Sequence, residues 1–127
     1  MLRVIRSSLV PGSDGRFRFG DQAFTGLAYT VADEGIVGPI ESVREGAIAG
    51  TSNDWLPLPQ GGLRVADSVL EERSEAGPLY FRGVRFDGVG YSFESGGECT
   101  GESEYSDGRR NELNERTWYG SGQSMWI

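Results

Sequence analysis

The sequence predicts an all-β fold, and three observations lead to that prediction. Glycine occupies 20 of the 127 positions, one 12-residue pattern recurs with its Phe, Gly, Tyr and final Gly in register, and short acid–glycine pairs separate the alternating segments. Glycine at this density indicates turns, bulges and close backbone contacts, which are typical of folds built from many short strands. Because 127 residues is close to the commonest domain size, residues 1–127 are expected to form a single domain.

The repeated segment is predicted to be a strand in both copies. Its sequence is "FTGLAYTVADEG" at 24–35 and "FDGVGYSFESGG" at 86–97, an offset of 62 residues without a gap. Bulky and small residues alternate, which places them on opposite faces of a strand. The bulky face holds Leu27, Tyr29 and Val31 in the first copy and Val89, Tyr91 and Phe93 in the second. The opposite face is nearly bare, so either another backbone lies close to it or it stays thin against solvent.

Tight turns are predicted at matching positions of the two copies. Glu45–Gly46 and Asp107–Gly108 each place an acid before glycine between alternating segments, which is typical of a type I′ hairpin turn. "DEG" at 33–35 and "SGGE" at 95–98 mark a second pair of reversals. Each copy is therefore predicted to run strand, turn, strand, turn, strand.

The flanking segments complete the predicted architecture. "RFRFGDQAF" at 16–24 and "LYFRGVRF" at 79–86 are predicted strands, and 51–62 is predicted to be irregular because of its prolines. Residues 63–78 fit a helix and a strand about equally well. We therefore assign 19–62 to the first repeat copy, 63–80 to a connecting segment and 81–124 to the second copy. Antiparallel hairpin repeats of this kind predict a meander or solenoid-like sheet, with a small closed β-barrel as the alternative.

Composition limits the possible functions. Histidine is absent and Cys99 is the only cysteine, so Ser-His and Cys-His nucleophile systems and multi-cysteine metal clusters are excluded within one chain. The formal charge is −7, with 12 Arg and no Lys, which argues against nucleic acid as a partner and favours a basic protein. No apolar run approaches the length of a membrane span, and the N-terminal segment does not resemble a secretion signal. A cytoplasmic protein without cofactor or metal is expected.

An ordered signature, "F-x-G-x-x-Y … G … G … Y-x-D-G-R-x … W-Y-x-S-G-Q", extends over the second copy. The matching residues are Phe86, Gly88, Tyr91, Gly97, Gly101, Tyr105, Asp107, Gly108, Arg109, Trp118, Tyr119, Ser121, Gly122 and Gln123. The first copy keeps a thinner version in Phe24, Gly26, Tyr29, Gly35, Gly46, Trp55 and Gly61. The signature resembles that of the bacterial MORN-variant repeat proteins, over roughly residues 19 to 124.

The resemblance implies an all-β array of hairpins and a protein-binding role, often as the antitoxin or immunity half of a toxin–antitoxin pair. The chain also departs from the family pattern. The "H-G-x-W" expected after the Asp-Gly turn is replaced by "NELNERTW" at 111–118, and the middle segment has lost most repeat features. A diverged, specialised member is therefore expected.

The two copies differ most in the strand after the mid-copy turn. Ile36, Ile40 and Ser42 of the first copy become Glu98, Glu102 and Glu104 in the second. On a strand these alternating glutamates share one face, which is either a solvated surface or a docking surface for a basic protein. A cation site would need clustered oxygens in a spacing that is not present. The residues predicted to bind the partner are Glu98, Glu102, Glu104, Asp107, Tyr105, Trp118 and Tyr119.

The function expected from the sequence is an antitoxin or immunity-type module that binds and neutralises a basic protein. The alternative is a small cofactor-free enzyme, a cyclase or hydrolase, that uses carboxylates in an aromatic-lined cleft. Its candidates are Glu98, Glu102 or Glu41 together with Tyr91 or Tyr105, although no residue has a spacing that demands catalysis. A structural module of a larger assembly is a third possibility, and the oligomeric state is left open.

Overall fold

The computed structural model describes residues 1–118, and its regular structure is almost entirely β. The helical segments in this range are two three-residue 3-10 turns, Arg6–Ser8 and Asp67–Val69. No helix in this part of the chain is long and apolar enough to cross a membrane. The predicted all-β class is confirmed.

The first module, residues 2–52, has seven strands in two sheets. β1, β5, β6 and β7 form a four-stranded sheet in that order, and β3 lies between β2 and β4 in a small second sheet. The strands are β1 (Leu2–Ile5), β2 (Val10–Pro11), β3 (Phe17–Phe19), β4 (Gln22–Ala23), β5 (Gly26–Val31), β6 (Val37–Arg44) and β7 (Ala47–Ser52).

The second module, residues 63–117, repeats this arrangement. Its main sheet has the order β14-β13-β12-β8 and its small sheet the order β11-β10-β9. The strands are β8 (Leu63–Ala66), β9 (Glu71–Glu72), β10 (Leu79–Phe81), β11 (Val84–Arg85), β12 (Gly88–Phe93), β13 (Cys99–Ser106) and β14 (Arg109–Thr117). The segment 63–80 thus contributes β8, β9 and part of β10 to the second module, and residues 63–66 are strand rather than helix.

Each main sheet combines antiparallel hairpins with one parallel pair. β1 runs parallel to β5, and β8 runs parallel to β12. Prediction from local hairpin signals missed these two pairs, because a parallel partner lies far away in sequence. None of the sheets formed by residues 1–118 closes into a barrel, so the barrel alternative is wrong.

The first glycine of each central strand allows the neighbouring parallel strand to lie close at its edge. Gly26 of β5 lies against the carbonyl of Leu2, and Gly88 of β12 lies against the carbonyl of Leu63 in the same way. A Cβ at either glycine would overlap that oxygen. Both faces of β5 are buried from Gly26 to Tyr29, because Ala28, on the face opposite Tyr29, packs in a hydrophobic core with Phe17 and Phe19. The small-residue face is therefore covered by side chains rather than by backbone, and the Tyr105 ring covers Gly90 of β12 in the same way.

The hairpin turns also form as predicted. Glu45 and Gly46 have φ of 45° and 83°, and Asp107 and Gly108 have φ of 52° and 80°. Two consecutive residues at positive φ are what a type I′ turn requires. Gly35 and Gly97 close the second pair of reversals with backbone hydrogen bonds to Ala32 and Glu94.

Residues 1–118 form three hydrophobic cores. The central core lies between the two main sheets, and each outer core lies between a main sheet and its small sheet. The central core consists of Leu27, Tyr29, Val37, Ile40, Val89, Tyr91, Cys99 and Trp118. The rings of Tyr29 and Tyr91 meet here at 5.4 Å between centroids.

The two modules also exchange a matching pair of backbone hydrogen bonds. The amide of Ile5 donates to the carbonyl of Gly97 at 2.7 Å, and the equivalent amide of Ala66 donates to Gly35 at 2.8 Å. The turn of each module therefore caps the first strand of the other. This exchange gives the chain a pseudo-twofold arrangement about the tyrosine pair.

Candidate functional site

The most unusual feature of the described residues is a group of charged and tyrosine side chains at the central core. We call Arg3, Tyr29, Asp54, Arg64, Tyr91, Glu102 and Arg116 the core polar network. Two matching pairs form its base. Arg3 Nη1 donates to the Tyr29 hydroxyl at 2.9 Å, and Arg64 Nη1 donates to the Tyr91 hydroxyl at 3.0 Å. Arg3 and Arg64 are only 6% and 7% exposed, because β1 and β8 run beside the central strands.

Glu102 makes the second pair different from the first. Tyr29 is paired across the sheet with Ile40, whereas Tyr91 is paired with Glu102. Glu102 is 0% exposed, and its Oε2 accepts from the Tyr91 hydroxyl at 2.7 Å and from the amide of Leu56 at 3.0 Å. Burial of a carboxylate is tolerated when it is paired and hydrogen-bonded, and Glu102 meets both conditions.

Arg116 and Asp54 close the network. Arg116 Nε donates to Glu102 Oε1 at 2.7 Å, and its Nη1 donates to Asp54 Oδ1 at 2.7 Å. The other oxygen of Asp54 accepts from Arg3 Nη2 at 2.6 Å. One carboxylate from the segment between the modules therefore connects an arginine of each module.

Two tryptophans cover the buried arginines. The guanidinium of Arg64 lies 3.7 Å from the ring centroid of Trp55, and that of Arg3 lies 4.1 Å from the centroid of Trp118. Such stacking stabilises a guanidinium that has left water. Arg3 Nε is buried and has no hydrogen-bond partner among the described residues.

The environment of the network shifts several pKa values. Burial raises the pKa of both Tyr29 and Tyr91, and the charge of Glu102 adds to the effect on Tyr91. The Arg116 hydrogen bond, reinforced by Arg3, holds the pKa of Asp54 below its ordinary value although burial opposes it. Burial likewise raises the pKa of the Cys99 thiol to about 12, so this residue is an inert part of the core.

A carboxylate 2.7 Å from a tyrosine hydroxyl can act as an acid–base pair, but Glu102 and Tyr91 are buried away from solvent. Glu102 and the Tyr29 and Tyr91 side chains have no exposed surface. A substrate therefore cannot reach the pair in this conformation. The network is suited to holding the modules together.

The structure disperses the residues predicted to bind a partner. Glu102, Tyr105 and Trp118 are buried, so they cannot form an exposed acidic and aromatic surface in this conformation. This is a correction to the sequence-based picture of one exposed strip.

The remaining predicted residues lie at or near the surface, except for one outside the described range. Glu98 is partly buried, and Glu104 is partly buried and accepts from the amides of Asn111 and Asn114. Asp107 is exposed and pairs with Arg85 at 3.0 Å. Tyr119 lies outside the described residues. A continuous strip is not formed because its central member points into the core.

Of the residues proposed for an enzyme, Tyr105 lines one of two open clefts, whereas Glu41, Glu98, Glu102 and Tyr91 line neither. A shallow cleft of about 260 Å³ is lined by Phe81 and Phe86, and its only acidic lining residue is Asp87. Asp87 is already engaged, because its Oδ1 accepts from the amide of Asp107 at 2.7 Å. Glu41 instead pairs with Arg6 at 3.3 Å. The described residues also hold no cluster of three or more potential metal ligands.

Sequence reasoning missed Arg3, Arg64, Arg116 and Asp54 as members of the network. A signal for two of them is present. Two segments of eight residues are identical at five positions: "LRVIRSSL" at 2–9 and "LRVADSVL" at 63–70. Arg3 and Arg64 occupy the same position in the two segments. The offset there is 61 rather than 62, so a search in one fixed register does not find it. Asp54 and Arg116 leave no comparable repeated pattern.

Comparison with protein-family models, with curated proteins and with solved structures gave no match to this chain. The resemblance to MORN-variant repeat proteins therefore stays a prediction that depends on the residues of the two copies.

Proposed function

We propose that this chain is a cytoplasmic protein-binding module of the antitoxin or immunity type that engages a basic partner protein. The observation that supports this most is the distribution of charge. Of 19 acidic residues only Glu102 is buried, whereas two of the 12 arginines are, Arg3 and Arg64. The 18 acidic and 10 basic side chains that remain outside the core give the surface a net charge of −8.

A surface of this charge favours a basic partner in two ways. It speeds the diffusional encounter with positively charged proteins, and it discriminates against acidic ones by like-charge repulsion. The nucleic-acid surface of a basic nuclease-type toxin is one target with the required chemistry. No specific observation favours the enzyme alternative, since the candidate carboxylates are sealed, paired or remote from the aromatic cleft.

The test is capture of the partner followed by a functional assay. The tagged chain is used as bait in a native lysate at low and at high salt, and retained proteins are expressed alone and together with this chain. We expect a basic protein that salt releases, that is toxic alone and that co-expression neutralises. Retention of no basic protein, or of one that is harmless when expressed alone, would overturn the proposal.

Two matched variants test which module's surface charge speeds association with the partner. One neutralises Glu94, Asp107 and Glu112 of the second module, which are all exposed, to Gln, Asn and Gln. The control neutralises Glu34, Asp14 and Asp21 of the first module in the same way. Both change the net charge equally, so general attraction would weaken equally in the two. We expect the second-module variant to slow association more, because its half of the chain contains 12 of the 19 acidic residues.

A further inference from the structure

The outer strands of the two main sheets differ in their content of charged residues. β7 and β14 occupy equivalent edge positions, and within residues 1–118 each pairs with only one neighbouring strand. β14 has five charged residues among its nine, Arg109, Arg110, Glu112, Glu115 and Arg116. β7 has the sequence AIAGTS, without a charge or a proline, and its first five residues are exposed.

An open edge of this kind is uncommon, because unpaired backbone groups attract other strands. Proteins usually protect an edge with charge, proline, bulges or a covering segment. β14 uses charge and a three-residue bulge at 112–114. β7 has only a one-residue bulge at Ala49, and it exposes Ile48 by 47%. Within residues 1–118, the fold thus contains one protected edge and one that lacks this protection.

We propose that the β7 edge is a docking site for an extended segment of the basic partner, which adds to the first-module sheet as a fifth strand. The inference rests on the proposed function and specifies the mode of binding. Main-chain hydrogen bonds supply affinity in this mode, and side chains supply specificity. The small residues of β7 suit large partner side chains, since a Cβ at Gly50 would meet no atom within 4 Å.

Charge and size favour a partner segment over a second copy of this chain. Two copies would each bring a surface charge of −8 to the contact, and like charges oppose association. Six residues give an edge only about 20 Å long, at roughly 3.4 Å per residue. A pair of such edges is small beside the interfaces of stable dimers, which bury about 1,200–2,000 Å². The turn before β7 carries both Arg44 and Glu45, and Arg16 donates to the Glu45 carbonyl at 2.9 Å, so the attraction for a basic segment comes from the whole surface and not from this turn.

The first experiment needs no knowledge of the partner. The probe is a nine-residue peptide of alternating Val and Arg with blocked ends, and the readout is hydrogen–deuterium exchange of the full chain. We expect a several-fold slowing of exchange in residues 47–52 and none in 109–117. The control is the same peptide with alternate amides N-methylated, which keeps the charge and cannot pair along the strand. Protection of 109–117, protection by the methylated peptide, or no protection would overturn the proposal.

The second experiment uses one position with opposite charges. Thr51 is exposed in β7, so Thr51→Arg and Thr51→Glu alter the edge without touching the core. We expect Thr51→Arg to weaken binding of the peptide and of the captured partner at least several-fold, and Thr51→Glu to keep or strengthen it. Equal loss in both variants contradicts a basic occupant. A dimer of the wild-type chain in sedimentation that Thr51→Arg dissociates would assign the edge to a second copy.

The two proposals can fail separately. If the basic partner is captured and neutralised but Thr51→Arg binds it as wild type does, the edge proposal is wrong and the protein-binding function stands. If the peptide pairs with β7 but no basic protein is captured, the proposed function is wrong and only strand acceptance is supported.

Discussion

A single substitution between the two modules explains most of the chemistry at the residue scale. Tyr29 faces Ile40 and Tyr91 faces Glu102 at equivalent positions. Glu102 loses its hydrogen bonds to water in the core, and hydrogen bonds from Tyr91, Arg116 and the amide of Leu56 replace them. A buried ion pair contributes little net stability compared with apolar residues, but removing one member leaves an uncompensated charge.

This contrast leads to a prediction about Glu102 and Arg116. Glu102→Ala should lower the free energy of unfolding by about 3 kcal/mol, because Arg116 and the Leu56 amide lose their acceptor. The double variant Glu102→Ile with Arg116→Ser copies Ile40 and its cross-strand neighbour Ser52, and should cost less than about 2 kcal/mol. Urea denaturation of the three proteins measures both values. A double variant less stable than the single one would contradict this account of the network.

Asp54 predicts a specific dependence of stability on pH. Its pKa is lowered in the folded state, mainly by the Arg116 hydrogen bond and further by Arg3. A lowered folded-state pKa stabilises the fold above the unfolded value of about 4, and this stabilisation disappears as the pH falls through the folded-state value. Asp54→Asn should therefore be less stable than wild type at pH 6, with the difference shrinking on acidification. A difference in unfolding free energy that is constant from pH 6 to pH 2 would contradict the prediction.

The sequence predicted some of these residues and not others for a physical reason. The equivalence of Tyr29 and Tyr91 follows from strand alternation, which is local and visible in the pattern. The burial of Glu102 depends on Arg116 and on Leu56, which approach it only after the sheets have formed. Charged residues are almost never fully buried unless they are paired. Because the sequence does not show that Arg116 pairs with Glu102, Glu102 was expected at an exposed position.

At the scale of elements, the turns were predictable and the first strand of each module was not. Asp107–Gly108 specifies its turn through its own backbone preferences, and Glu45 follows the same rule beside Gly46. β1 and β8 depend on contacts more than 20 residues away, where Gly26 and Gly88 make room for them. Their short sequences have no strong period of their own, so 63–66 fitted a helix and a strand equally.

The glycines of the central strands give a prediction at this scale. Gly26→Ala and Gly88→Ala should each lower the free energy of unfolding by at least about 2 kcal/mol, because the new Cβ displaces the parallel strand. Gly38→Ala in β6 is the matched control, since its Cβ would find ordinary contacts with Thr30 and no steric overlap. The control should change stability by no more than about 0.5 kcal/mol. Thermal and urea unfolding of the three variants provide the measurement, and equal effects in all would contradict the close-contact role.

For the whole molecule, the sequence predicted two similar units but not how they face each other. The repeats predicted a meander or solenoid-like sheet in which each unit buries its face on its neighbour. The structure places the bulky faces of both central strands against one another, so that Tyr29 contacts Tyr91 and Phe93. The choice depends on which faces bury the most apolar surface, and the opposite faces of the main sheets are already covered by the outer cores.

The shared core predicts that the two modules unfold together. Tyr29 and Ile40 of the first module and Tyr91 of the second belong to one core, and the turns at Gly35 and Gly97 hold opposite modules. Ile40→Ala should therefore lower the free energy of unfolding by about 2–5 kcal/mol and reduce amide protection in β12 and β13 as much as in β5 and β6. Thr30→Ala on the exposed side of β5 is the control and should leave both sets unchanged. Native-state hydrogen exchange at increasing urea separates the outcomes, because loss of protection confined to the first module would show that each module is stable without the other.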